Sequence, residues 1–136
     1  MCYNDKCKIE IKSRIDGSES TVAVNGSVEK TASKMRFSYV LDGDGCTLTV
    51  NENEIIQERC GEQNIKMIFR KGEQTECSLQ SGGFSGAFTV FTHDLQFAER
   101  GLNIGKNVYA LLIVYTLGEE KIELSFSAEY NAKVKK

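Results

Sequence analysis

Polar and apolar residues alternate along most of the chain, the period-2 signature of strands that bury one face. The first run sets Cys7, Ile9, Ile11, Ser13 and Ile15 against Lys8, Glu10, Lys12 and Arg14, and Asp16-Gly17-Ser18 ends it. A shorter, more polar run over 21–28 carries Val22 and Val24, with Asn25-Gly26 as a tight turn or a bulge inside a long strand. Met35, Phe37, Tyr39 and Leu41 alternate next, and Asp42-Gly43-Asp44-Gly45 predicts a hairpin into Cys46, Leu48 and Val50. Strands follow over 54–60, on Ile65, Met67 and Phe69, and on Thr75, Cys77 and Leu79, separated by Gly- and Asn-containing turns. A longer strand runs from about Phe84 to Phe91 and continues through Leu95 to Ala98 past a bulge, and residues 108–117 and 122–130 form a last hairpin around Gly118-Glu119-Glu120.

This reading predicts nine or ten short strands joined by tight turns, a rhythm that belongs to a sandwich or a barrel. Sequential hairpins make an up-and-down meander, and a meander with one apolar face buries that face and its edges by closing on itself. The expected fold is therefore all-β, a single antiparallel up-and-down barrel of about 8–10 strands spanning residues 1–136 as one domain. No amphipathic helix of useful length is visible, which leaves room only for a short one near Glu29 to Ser33 or near Asn103. The run from Val108 to Tyr115 is apolar on both faces, unlike the other strands. Either a loop or the N-terminal segment roofs its outer face, or that face is a homodimer interface.

Composition narrows the function classes. The 136 residues hold 17 basic and 19 acidic side chains, a net charge of −2 that argues against nucleic acid as a partner. The start of the chain has no apolar signal region, and the longest apolar run, eight residues, is far short of the roughly 20 that a membrane helix needs. A soluble, cytoplasmic protein with no membrane partner is expected. The five cysteines include no C-x-x-C pair and suit a reducing compartment, with Cys7, Cys46 and Cys77 as small core residues. A single histidine, His93, leaves no basis for a zinc site, and neither a metal nor a cofactor is expected.

Three motifs suggest chemistry and fail on their neighbours. Asp42-Gly43-Asp44-Gly45 opens like a calcium loop, but Cys46, Thr47 and Asn53 occupy its ligand, glycine and glutamate positions. Gly83-Phe84-Ser85-Gly86-Ala87 lies one residue from a nucleophile elbow, yet a strand follows where a helix is required. His93 and Asp94 are adjacent, so on a strand they point to opposite sides. No catalytic residue is assigned, and the reading leans away from an enzyme. Arg59 shares a face with Ile55 and Gln57, while Ile56, Glu58 and Cys60 make the other, and periodicity alone leaves either face inside. An inward Arg59 requires an anion or a buried carboxylate beside it.

Several spaced features together resemble the YwiB-like family of bacterial proteins of unknown function, found mostly in Firmicutes. They are Phe37-Ser38-Tyr39; Thr47, Leu48 and Val50; Arg59-Cys60-Gly61; Met67 to Gly72; the glycines at 83 and 86; and Leu111 to Tyr115 with Ser125. The resemblance covers about 100 of the 136 residues, from the third strand onward. Where the family has Tyr-Gly before the eighth strand, this chain has Gly82-Gly83-Phe84. The resemblance implies a calycin or lipocalin-like barrel with room for a small ligand, and no reaction. On that basis the expected function is binding of a small, partly apolar ligand by Tyr39, Met67, Phe69 and Phe88, with Arg59 as anion anchor. The alternative is a filled barrel that acts through a homodimer or partner interface at the run from Val108 to Tyr115.

Overall fold

Alternating residues pair into ten antiparallel strands in the computed structural model, which describes residues 3–103 and 106–131. They are β1 (Tyr3–Ile15), β2 (Ser18–Lys30), β3 (Met35–Leu41), β4 (Asp44–Val50), β5 (Ile55–Cys60), β6 (Gln63–Phe69), β7 (Gln74–Ser81), β8 (Phe84–Asn103), β9 (Lys106–Leu117) and β10 (Glu120–Asn131). Each strand pairs with its sequence neighbours, and β1 pairs with β10 to close the barrel. The fold is thus the expected up-and-down barrel, and no helix occurs among the described residues. Residues 29–33 finish β2 and enter a loop, and Asn103 ends β8, so neither place expected to hold a short helix does so.

Turn chemistry sets the hairpins. Asp16-Gly17 and Asp42-Gly43 both adopt left-handed backbone at both residues, the geometry that matches the twist of two paired strands. Asn25-Gly26 is neither turn nor bulge, because β2 pairs with β1 without a register shift through both residues. Gly26 is needed for closeness instead: a Cβ there would strike the Ser38 carbonyl and the δ-methyl of Ile9. The bulge anticipated in β8 falls between Thr92 and Asp94. It divides the strand's work. Residues 84–91 pair with β7, whereas from Asp94 onward β8 pairs with β9 alone.

The core fills the middle of the barrel. Phe37, Phe69, Ile55, Ile113, Val28 and Val90 have no accessible surface. The Phe37 ring lies 5.0 Å from that of Phe126 and 5.3 Å from that of Tyr109, and Phe69 lies 4.8 Å from Tyr115. Burying such rings contributes about 1.5–3 kcal/mol each in transfer terms. Cys7, Cys46 and Cys77 are buried among them, as their alternation indicated. The outer face of β9 carries Val108, Ala110, Leu112 and Val114, and no described element covers it: β1, the N-terminal strand, is part of the wall and not a roof.

Candidate functional site

Register decides which face of β5 is inside. Gly26 lies opposite Tyr39, Tyr39 opposite Cys46, Cys46 opposite Arg59, Arg59 opposite Ile65, Ile65 opposite Leu79 and Leu79 opposite Gly86. Opposed residues share a face, so Arg59 belongs to the inner face with buried Tyr39 and Cys46. The carboxylate that such an arginine requires is Asp44. Arg59 Nε donates to Asp44 Oδ2 at 2.7 Å, and the Glu62 amide donates to Asp44 Oδ1 at 3.1 Å. The Asp44 side chain is 6% exposed and that of Arg59 is 25% exposed, so the pair stands at the edge of the core. Gly61 makes room for it, because a Cβ there would collide with the Asp44 carboxyl.

Electrostatics follow from this geometry. The Arg59 hydrogen bond, helped by the Glu62 amide, holds the Asp44 carboxyl below the usual range, and Asp44 in turn raises Arg59. Burial, then the neighbouring Cys46, pushes the Tyr39 phenol up to about 12, with Gln57 and Arg59 pulling weakly the other way. Tyr39 is therefore a neutral hydroxyl at physiological pH. Arg59 uses its Nε for Asp44, and its two terminal nitrogens have no hydrogen-bond partner among the described residues. A guanidinium gripped this way presents a fixed pair of donors to an anion.

The structure distributes the five predicted ligand residues unevenly. Tyr39 and Met67 lie on the inner face, 6% and 7% exposed. Phe69 has no accessible surface and therefore borders no space that a water can enter; it is packed core, because Tyr115 fills the volume beside its ring. Phe88 shares the inner face through its pairing with Cys77 but is 40% exposed, because it stands toward the end of the barrel that holds the β7–β8 turn. That end is open and apolar. Phe84 and Ile15 are also exposed there, and Leu41, Ile65, Leu79 and Leu117 are half-buried. Of the predicted set, Arg59, Tyr39 and Phe88 belong to this end.

His93 is exposed and shares a hydrogen bond with Thr116, while Asp94 engages Gln96, the Leu95 amide and Lys71, so the two neighbours form no dyad. Ser85 lies within β8, paired with Gln80, and not on a strand-to-helix elbow. No group of three metal-ligating side chains occurs among the described residues, and no described helix is long and apolar enough to cross a membrane.

Asp44 was missed by sequence reasoning, although its position two residues before Cys46 places it on the inner face of β4 and so signals a carboxylate in need of a cation. A second feature was missed altogether. At the opposite end of the barrel a cleft of about 610 Å³ opens between residues 31–34, the β4–β5 turn and the second half of β8, with Tyr109 in its lining.

Comparison with known proteins agrees with the fold. The family described as Domain of unknown function (DUF1934) matches residues 7–125. The crystal structure of ywiB protein from Bacillus subtilis superposes with a TM-score of 0.75 at 17% identity, covering 96% of this chain and 94% of that one. No curated protein matches the chain.

Proposed function

Because this chain belongs to the DUF1934 family, whose description assigns no activity, its function has to be read from its own side chains, and we propose that it binds a small amphipathic anion at the open end of the barrel. One observation carries this reading. Arg59 is fixed by Asp44 through Nε and keeps two terminal nitrogens without a hydrogen-bond partner among the described residues, beside inward-facing aromatic and aliphatic groups that no described residue covers. Exposed apolar surface next to an oriented guanidinium suits a molecule with a carboxylate or phosphate head and an apolar body. The ligand contacts Phe88 and Phe84 at the mouth, the head meets Arg59, and Tyr39 stands behind it as a neutral hydrogen-bonding group. The reading includes no reaction and no cofactor, and it places the protein in the reducing cytoplasm, where its thiols stay free.

Calorimetry with decanoate and decanol tests it. Wild type binds decanoate more tightly than decanol, and Arg59→Gln removes the difference while leaving decanol binding unchanged. Equal affinity of wild type for acid and alcohol, or no binding of either, rejects the reading.

A second reading rests on the outer face of β9, where no described element covers half-buried Val108, Leu112 and Val114 and exposed Ala110. Glu123 and Glu129 on β10 border this strip, and Lys8, Glu10 and Lys12 follow one strand further on β1, so both signs of charge lie beside it and two copies can face each other about a two-fold axis. On this reading the filled mid-barrel is a rigid support for a homodimer.

A further inference from the structure

The cleft at the other end of the barrel has the features of a second, chemically different site. From Asp94 onward β8 pairs only with β9, which leaves a gap in the wall on its other edge. Residues 31–34 face that gap, and a Lys30–Glu99 ion pair of 2.9 Å ties β2 to β8 across it, although these strands are not neighbours in the sheet. The resulting cleft of about 610 Å³ falls within the roughly 300–1,000 Å³ usual for small-molecule sites. Its floor is apolar: Met35 and Val50 are buried, and Phe97 is 48% exposed with its ring stacked 6.1 Å from that of Tyr109.

Tyr109 sets the polarity. The residue is 2% exposed, and its hydroxyl is buried with no hydrogen-bond partner among the described residues. Buried tyrosine hydroxyls normally find a partner, so an orphan on a residue that lines a cleft is an unoccupied valence. Burial, then the nearby Glu99 carboxylate, pushes this phenol well above its ordinary range, so it stays a neutral donor. The charged residues of the lining balance, Lys30 and Lys34 against Glu52 and Glu99, so the cleft carries no net charge to attract an ion of either sign. We propose that this cleft binds an uncharged, planar aromatic molecule whose ring packs on Phe97 and displaces it enough to bring a carbonyl or similar acceptor to the Tyr109 hydroxyl hydrogen.

The site is separate from Arg59, which lies on β5 near the opposite set of turns, so each stands or falls independently. The test uses 6-propionyl-2-dimethylaminonaphthalene, a neutral fluorescent ketone with a flat ring, added to the full chain. One molecule binds per chain with blue-shifted emission. Tyr109→Phe removes only an unpartnered hydroxyl, so it leaves thermal stability unchanged or raised and weakens the probe about tenfold. Phe97→Ala weakens it by a similar factor, and Arg59→Gln has no effect. Binding that is insensitive to both cleft variants, binding lost only in Arg59→Gln, or no binding to wild type overturns the proposal. A Tyr109→Phe variant of lower stability overturns it too, since the hydroxyl then already serves the free protein.

Discussion

Asp44 and Arg59 show how a single pair of residues joins fold to function. An arginine on the inner face of a barrel is tolerated because a carboxylate meets it, and the carboxylate is held because Gly61 has no side chain to displace it. Asp44 has its pKa lowered in the folded state, so its stabilising contribution is present above the unfolded value of about 3.9 and is lost as pH falls through the lower folded value. Asp44→Asn is therefore less stable than wild type at pH 7, and the gap between the two urea midpoints narrows toward pH 2. Parallel pH profiles for the two proteins would sink this account. The thiols behave as another residue-scale case. Burial raises Cys46 and Cys77 and keeps reagents away, whereas Cys60 is exposed on the outer face of β5. Iodoacetamide followed by peptide mapping labels Cys60 well before Cys7, Cys46 or Cys77. Simultaneous labelling of all four would mean that the barrel opens on the labelling timescale.

Individual strands owe their course to one or two positions that local alternation does not explain. Within β2, Gly26 lets β3 and the Ile9 side chain come close, so Gly26→Ala overpacks the wall and costs about 1–3 kcal/mol in urea unfolding. Gly45 on β4 is the control. Its Cβ would meet nothing nearer than the Cys60 carbonyl at 4.0 Å, so Gly45→Ala leaves stability unchanged or slightly raised. Equal losses at both positions would show that strand propensity, not packing, sets the cost. In β8 the bulge at Thr92–Asp94 is anchored from the side. The Thr92 amide donates to the Glu73 carbonyl at 3.2 Å and its carbonyl accepts from Gly72 at 2.8 Å. These bonds hold the β6–β7 turn against the point where β8 leaves β7, and that parting opens the cleft above Tyr109.

At the scale of the whole molecule, two ends with exposed apolar side chains and an outer strip that no described element covers surround a packed middle, and the two proposed modes of action occupy different parts of that surface. The homodimer reading predicts that wild type sediments as a dimer at micromolar concentration and Leu112→Lys as a folded monomer. Monomers in both would remove it. Leu112 is the position to change because it faces outward, whereas Ile113 beside it has no accessible surface and its replacement by lysine would unfold the barrel. Strand number, the Asp-Gly turns, the β8 bulge, the buried cysteines and the barrel itself were legible in the sequence, because alternation and turn chemistry are local and repeat ten times. The inner face of β5 was not. Ile55-Ile56 and Gln57-Glu58 place similar polarity on both sides and Arg59-Cys60 by itself favours an inward cysteine, so only pairing with β4 and β6 turned Arg59 inward and set Asp44 beside it. Phe69 and Phe88 alternate alike in sequence, yet one is sealed and the other exposed. Periodicity assigns a residue to a face but carries no information about its height along the barrel. That height follows from strand stagger and closure, which bring distant segments together, as Lys30 and Glu99 are brought across the end of the barrel.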